Sequence, residues 1–367
     1  MIWLLFFLVT IYVVAISALI FGFTKINAFE YTGLTPKTGF SIIISFRNEA
    51  DNLPLLLDSI SKLHYPTALF EVILVDDDSE DGFNVPNSAS NIRTIKNKRI
   101  SNSPKKDAIT TAMQFVQNDW IITTDADCIV NPNWLLTLDN YIQLHHPAMI
   151  AGAVTYNGKA SFLHYFQQLD LASLQGATIG SFGLRKGFMC NGANFAYTKT
   201  FFQELNGFDG NDKIASGDDV FLLQKAMAKS PEKVHYLKSK NTIVTTKPVE
   251  NWKSLFYQRV RWASKTSSYQ STFGKYLGLI VFLGNLTIVL GLGFAIWEWP
   301  FLQNIIIGFL FKSALDAVLI VQSNRFLGSK KTPYLIEGSL LYPFWSVSVA
   351  LYSLFGKYEW KGRIFNS

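Results

Sequence analysis

Only two cysteines, Cys128 and Cys190, stand in this 367-residue chain. Two thiols build no disulfide framework, and a reducing, cytosolic setting suits them. They lack the paired spacing of a zinc site, so structural thiols are the plain reading. Charge is scarce too: 16% of residues are Asp, Glu, Lys or Arg, against 49% hydrophobic. From Ile2 to Phe23 charge is absent altogether. About 20 apolar residues cross a bilayer as a helix, and this stretch lacks the basic start and cleavage pattern of a signal peptide. An uncleaved transmembrane anchor over residues 1–23 is therefore expected. Missing as well is a Gly-x-Gly-x-x-Gly or Walker loop after the first strand-like run, which disfavours dinucleotide and P-loop chemistry.

What is present at the carboxyl end is apolar. Three further blocks, Tyr276 to Ile296, Phe301 to Val321 and Leu335 to Phe355, predict transmembrane or re-entrant helices over 276–356. Lys312 and Asp316 interrupt the second block four residues apart, where a helix lets them pair. So few spans and intramembrane charges do not make a transporter. The net charge of +6 admits nucleic acid as a partner. Yet Lys253, Arg259, Arg261, Lys265, Lys275, Arg325, Lys330 and Lys331 cluster before and between the apolar blocks, as segments facing an anionic cytoplasmic leaflet do. The bilayer is thus the expected partner, and nucleic acid is not. Four spans would leave the basic tail 357–367, with Lys357, Lys361 and Arg363, outside. Pro343 inside the last block suggests a re-entrant hairpin that returns the tail to the cytosolic face.

Between residues 38 and 249 the pattern is that of one α/β domain with a mostly parallel sheet. Ser41 to Ser45, Phe70 to Val75 and Trp120 to Thr124 are continuous apolar runs, as strands covered on both faces are. Helical patterns follow at Leu55 to Leu63 and Lys106 to Gln117, and Asn91 to Ile95 reads as a short strand. Strand and helix in alternation imply right-handed crossovers, with ligands outside the carboxyl ends of the strands. Three of those ends are polar: Ser45 to Glu49, Asp76 to Ser79, and Asp125-Ala126-Asp127. Two carboxylates one residue apart suit Mg²⁺ or Mn²⁺ carrying a diphosphate, because these ions prefer carboxylate and phosphate oxygens. One such cluster is a weak sign; three at one sheet edge indicate a site.

Farther on, Met149 to Tyr156 reads as a strand, Phe162 to Leu174 as an amphipathic helix, and Asn191 to Asn194 as a polar, Gly-containing stretch. Asp218 and Asp219 open a helix; one aspartate suffices as a cap, and two call for another reason. Residues 250–275 read as interfacial amphipathic helices. There Gln258, Arg261 and Trp262 fall within neighbouring turns, where an arginine fork can grip a diphosphate and a tryptophan can stack on a sugar.

Taken in order, these motifs resemble those of membrane-bound, processive-type family-2 glycosyltransferases with the GT-A nucleotide-diphospho-sugar transferase fold, the group of cellulose, hyaluronan and ceramide-glucosyl synthases. The residues that carry the resemblance are Ser45 to Glu49, Val75 to Ser79, Asp125 to Asp127, Gly217 to Asp219 and Gln258 to Trp262. The resemblance implies that Ser45, Arg47, Glu49 and Asp77 contact the nucleoside and that Asp76 supports their turn. It implies that Asp125 and Asp127 hold the sugar nucleotide and its Mg²⁺ or Mn²⁺, with Asp127 the more direct ligand. Asp219 matches the catalytic base, and Gln258, Arg261 and Trp262 match the motif on the diphosphate and acceptor. The implied reaction is inverting transfer from a nucleotide-diphosphate sugar, UDP-linked first, to a lipid-linked or glycan acceptor. It would occur at the cytosolic face of a multi-pass membrane protein, with envelope-biosynthesis proteins as further partners. Two departures stand out: Pro104-Lys105-Lys106 replaces the usual Gly-Lys, and Asp218-Asp219 replaces Glu-Asp. The competing expectations are a noncatalytic partner of a polysaccharide synthase and a sugar-phosphate nucleotidyltransferase. The latter needs a Gly-rich, Arg-containing loop that Phe46 to Glu49 does not provide.

Overall fold

The structure is a computed structural model that describes residues 2–82, 91–211, 216–329, 331–360 and 363–366. Lys330, Lys361 and Ser367 lie outside the described residues. The chain divides into two compact units, one of residues 27–157 and 188–247 and one of residues 1–26, 158–187 and 248–367.

The first unit is built on a sheet that has, among the described residues, seven strands in the order β3-β2-β1-β4-β7-β5-β8. Its strands are β1 (Phe40–Phe46), β2 (Phe70–Asp76), β3 (Ile92–Lys96), β4 (Trp120–Asp125), β5 (Met149–Gly152), β7 (Phe195–Thr198) and β8 (Val234–Leu237). The apolar runs become its centre because their side chains are buried on both faces: Ile42, Ile44, Val72, Leu74 and Ile122 on one, and Ile73, Val75 and Ile121 on the other, have no exposed surface. Each such burial contributes about 1.5–3 kcal/mol. Helices α2 (Leu53–Ser61), α3 (Pro104–Ala112), α4 (Trp134–His145), α6 (Lys199–Glu204) and α7 (Asp218–Lys229) complete the unit. Proline in the first turn starts both α2 and α3, where its missing N–H costs nothing.

Strands β1, β2, β3 and β4 are parallel neighbours as expected, but β7 runs antiparallel to both β4 and β5. The run Met149 to Tyr156 is not one strand. It breaks at Ala153 into β5 and β6 (Val154–Tyr156), and β6 pairs with β9 (Val244–Thr246) in a separate two-stranded sheet. The switch is driven by the Ala153 carbonyl, which accepts from the Val244 N–H (3.1 Å) and from Asn194 Nδ2 (2.8 Å).

The second unit gathers α1 (Ile2–Lys25), α5 (Phe162–Gly183), α8 (Trp252–Ala263), α9 (Thr272–Ala295), α10 (Leu302–Phe326), α11 (Leu335–Tyr352) and a hairpin of β10 (Lys357–Trp360) with β11 (Arg363–Asn366). Among the described residues, three helices are long and apolar enough to cross a membrane: Trp3–Lys25, Thr272–Ala295 and Trp299–Phe326. Inside this unit Lys312 Nζ donates to Asp316 Oδ2 at 2.7 Å, and Tyr12 donates to Asp316 Oδ1 at 2.6 Å. The spacing-based pairing of Lys312 with Asp316 therefore holds, and it gains a third member from α1. No reversal occurs at Pro343, which corrects the expected hairpin: its ring sits within one continuous helix, α11. A proline deletes a single N–H donor, and neighbouring helices can hold such a helix together.

Candidate active site

Parallel strands bring their carboxyl ends to one edge, and the register fixes which residues meet there. Phe46 stands opposite Asp76, and Ser45 stands opposite Asp125. The loops beyond β1 and β2 are tied to each other. Arg47 donates to the Asp77 carbonyl (3.1 Å) and pairs with Glu80, and the Asn48 N–H donates to Ser79 (3.1 Å). Asn48 and Asp78 adopt left-handed backbone conformations at φ 53° and 66°, which makes both turns tight. Asp76 supports its turn by accepting from the Ser79 N–H at 2.9 Å. Asp77 is buried and accepts from Asn97 at 2.7 Å, with Arg99 at 3.4 Å. Glu49 accepts from Asn52 at 2.6 Å. Asn97 and Arg99 were not singled out by sequence, since nothing in their spacing marks the end of a short edge strand as part of a site.

The centre of the edge is a lysine. Lys105, in the first turn of α3, places its ammonium 2.6 Å from Asp125 Oδ1 and 3.4 Å from Asp218 Oδ2. Burial alone would lower the Lys105 ammonium, but Asp125, Asp218 and Asp219 outweigh it and hold the group well above an ordinary lysine. It is therefore a fixed cation that links the carboxylate at the end of β4 to the pair opening α7. The departure Pro104-Lys105-Lys106 still delivers a lysine to the site. Its neighbour Lys106 points elsewhere, to the Asn211 carbonyl at 2.5 Å.

Asp218 is not a cap. Gly217 caps α7 at φ 86°, a left-handed conformation that glycine adopts without strain, and Asp218 is spent on Lys105. Asp219 is oriented by two backbone donors, the Gly192 N–H to Oδ2 (2.8 Å) and the Val220 N–H to Oδ1 (2.7 Å). Gly192 reaches the site because β7 is antiparallel, so the loop entering β7 arrives at the carboxyl edge of β4. There the Thr123 hydroxyl donates to the Gly192 carbonyl at 2.7 Å. A Cβ on Gly192 would lie 3.0 Å from Lys105 Nζ and 3.1 Å from Asp218 Oδ2, so a larger residue there would push on the cluster by a few tenths of an ångström.

Asp127 has other partners. Its Oδ2 accepts from Thr246 of β9 at 3.1 Å, and the Cys128 Sγ lies 3.8 Å from its Oδ1. Burial, followed by Asp127 and Asp125, holds the Cys128 thiol well above its ordinary range, so it is neutral and not a metal-ligating thiolate. No group of three or more His, Cys, Asp or Glu side chains that could hold a metal exists among the described residues. A carboxylate or two with nearby hydroxyl oxygen is a donor set for Mg²⁺ or Mn²⁺ when phosphate oxygens supply the remainder, and so the residues fit such an ion.

Gln258, Arg261 and Trp262 lie on α8, in the other unit. On α8, Arg259 has a defined structural task. It is buried, pairs with Asp170 of α5, donates to Gln258 Oε1 and stacks 4.2 Å from the Trp262 ring centroid. Gln258 and Trp262 are thus held by Arg259.

This edge belongs to an α/β unit of GT-A-like form, a mixed and mostly parallel sheet flanked by helices. Residues 41–205 match the family model described as Glycosyl transferase family 2. The mannosyltransferase PcManGT from Pyrobaculum calidifontis, solved with GDP-Man and Mn²⁺, is similar in fold, with 14% identity, a TM-score of 0.52 and coverage of 94% of this chain and 99% of its own. S. aureus TarS 1–349, solved with UDP-GlcNAc, aligns at 14% identity and a TM-score of 0.43 over 90% of this chain and 97% of its own. No curated protein matches the sequence.

Proposed function

We propose that the chain is an inverting glycosyltransferase that moves a sugar from a nucleotide diphosphate, UDP-linked first, to a lipid-linked or glycan acceptor at the cytosolic face of a membrane. The observation that carries this reading is the line Asp125–Lys105–Asp218 with Asp219 oriented beside it, at the carboxyl edge where β1, β2 and β4 end. A donor-side carboxylate and an acceptor-side carboxylate are held in one frame. The match of residues 41–205 to the Glycosyl transferase family 2 model supports it.

In this reading Ser45, Arg47, Glu49 and Asp77 receive the nucleoside, and Asp76 keeps their loop in shape. Asp127, with Asp125, would hold Mg²⁺ or Mn²⁺, the ion seen with GDP-Man in PcManGT; when bound, it neutralises charge on the departing diphosphate. Asp125 is partly committed to Lys105, which leaves Asp127 as the main ligand. Asp219 accepts the proton of the acceptor hydroxyl at Oδ1 or Oδ2, since each oxygen spends one lone pair on a backbone N–H and keeps another. One displacement then inverts the anomeric centre without an enzyme nucleophile. Gln258, Arg261 and Trp262 are assigned to the diphosphate and the acceptor on their motif alone. Transfer of single sugars to a lipid-linked acceptor is preferred to polymer export, because three membrane-length helices among the described residues are few for a channel.

The purified chain, incubated with a panel of sugar nucleotides and membrane lipid extract, should release nucleoside diphosphate with one donor and form a glycosylated lipid. Failure with every donor, under conditions where the chain binds nucleotide, would favour the reading as a noncatalytic partner.

A further inference from the structure

We infer that Lys106 and Lys225 are positioning residues for the transfer. They clamp the loop of residues 205–211 by its carbonyl oxygens, and so set α7, which opens with Asp218 and Asp219, against α3, which carries Lys105. The inference rests on the reading of Asp219 as the base, and every group in it lies within the unit of residues 27–157 and 188–247.

Residues 205–211 follow α6 and belong to no helix or strand, so their carbonyls need partners from other elements or from water. Asn206 (φ 54°), Gly207 (φ 47°) and Gly210 (φ 81°) take left-handed conformations that turn the chain tightly there. Alternate carbonyls then meet lysine. Lys225 Nζ donates to those of Leu205 (3.3 Å), Gly207 (2.8 Å) and Asp209 (2.7 Å). Lys106 Nζ donates to the next in the series, Asn211 (2.5 Å). An ammonium has three donors and no acceptor, so Lys225 commits its whole capacity to this one loop. Ordering a lysine side chain costs rotamer entropy. A lysine that served only solubility would keep its ammonium in water.

The clamp is placed to act on the site. Asp218, Phe221 and Lys225 stand three and four residues apart, on one face of α7. Asp218 meets Lys105, the Phe221 ring centroid lies 5.2 Å from the Lys106 ammonium, and Lys225 holds the loop. Lys106 is 2% exposed and thus sits inside this layer, between Phe221 and Asn211. The Lys105–Asp218 pair is 3.4 Å long. Strong charge-assisted hydrogen bonds measure about 2.7–2.9 Å, so this pair does not by itself fix two helices. The loop does, bonded to α7 through Lys225 and to α3 through Lys106. On the donor side Asp77 and Asp127 have partners outside the clamp, Asn97 and Thr246. The clamp therefore bears on Asp218 and Asp219. A displacement of α7 by about 1 Å would carry Asp219 off the acceptor hydroxyl, and an error of that size costs roughly 10²-fold in rate.

The test compares the full chain in lipid with its Lys225→Ala variant. Propylammonium replaces the atoms that the variant lacks, and tetramethylammonium, a cation without N–H, is the control. Hydrogen exchange is read at the amides of residues 206–211, acylation of Lys105 by mass spectrometry, and transfer with the donor found active. In Lys225→Ala the loop amides should exchange about tenfold faster or more, and Lys105 should acylate severalfold faster. Turnover should fall by roughly 10- to 10²-fold, with nucleotide binding unchanged. Propylammonium should reverse part of each change, and tetramethylammonium none. Lys225→Gln, which keeps a stem and part of the donor set, should fall between the two chains, and it carries the comparison if the alanine variant does not fold. Faster exchange with Lys105 acylation and turnover unchanged would reduce Lys225 to a loop support and overturn the inference. Unchanged exchange would overturn it too. If the unsubstituted chain transfers no sugar from any donor, the proposed function fails instead, and exchange with Lys105 acylation still decides whether the clamp joins the two helices.

Discussion

At the scale of single residues, the site is organised by a cation that lies between three carboxylates. Replacing Lys105 with Met would leave Asp125 and Asp218 facing each other without a counter-charge, whereas Lys105→Arg keeps one. Transfer by the Met variant should fall by roughly 10²-fold, as for loss of one electrostatic group at a reacting centre, and the Arg variant should recover part of it. Equal rates in all three proteins would remove Lys105 from the account. Gly192→Ala should act through the same group, since its Cβ would press on Lys105 Nζ and Asp218 Oδ2; activity should drop while the unfolding temperature changes little. Cys128 offers a check on the electrostatics. Its thiol is raised by burial, Asp127 and Asp125, so the native chain at about pH 8.5 should modify at Cys190 first and at Cys128 only on unfolding. Asp125 was legible in sequence because it ends an apolar run, and Asp218 and Asp219 because two aspartates open one helix. The contacts of Lys105 were not legible because a lysine after proline carries no geometric signal, nor those of Gly192 because a pattern that otherwise implies parallel strands does not foretell an antiparallel β7.

At the scale of elements, two packings decide how far the sequence could be read. Helices α1 and α5 meet through glycine: a Cβ on Gly22, Gly180 or Gly183 would overlap backbone atoms of the facing helix. Gly180→Val should therefore force α1 and α5 apart and cost at least about 1–3 kcal/mol, the range for overpacking, read as a lower unfolding temperature in detergent. Sequence alone showed an amphipathic start at Phe162 but not that the helix would run to Gly183 and join the unit of long helices. Its glycines serve contact there, not flexibility. On β8, His235 Nε2 donates to the Glu232 carbonyl (3.1 Å) and Nδ1 meets the Tyr141 hydroxyl (3.0 Å), which donates to it when the ring is neutral. Burial lowers its pKa, with a smaller push from His145 and an opposing one from Glu232. A depressed histidine contributes stability above its unfolded value, about pH 6.5, and loses it as pH falls through the folded value. The unfolding temperature should thus drop from pH 7 to pH 5, and His235→Gln should flatten that drop. An identical slope in the variant would assign the acid sensitivity elsewhere.

At the scale of the whole molecule, the chain joins a sheet unit of GT-A-like form to a unit of membrane-length helices. The apolar blocks made the second unit legible. The break at Ala153 and the uninterrupted α11 were not, since both depend on tertiary partners: Asn194 and Val244 in one case, α5 and α8 in the other. The central claim is that Asp219 takes the acceptor proton in a sugar transfer whose donor sits against Asp125 and Asp127. The most direct measurement compares the full chain with its Asp219→Asn variant, in lipid, with the donor found active. The account predicts unchanged nucleotide binding and a turnover lower by about 10²–10⁴-fold, the usual contribution of a general base. Undiminished transfer by Asp219→Asn would contradict it.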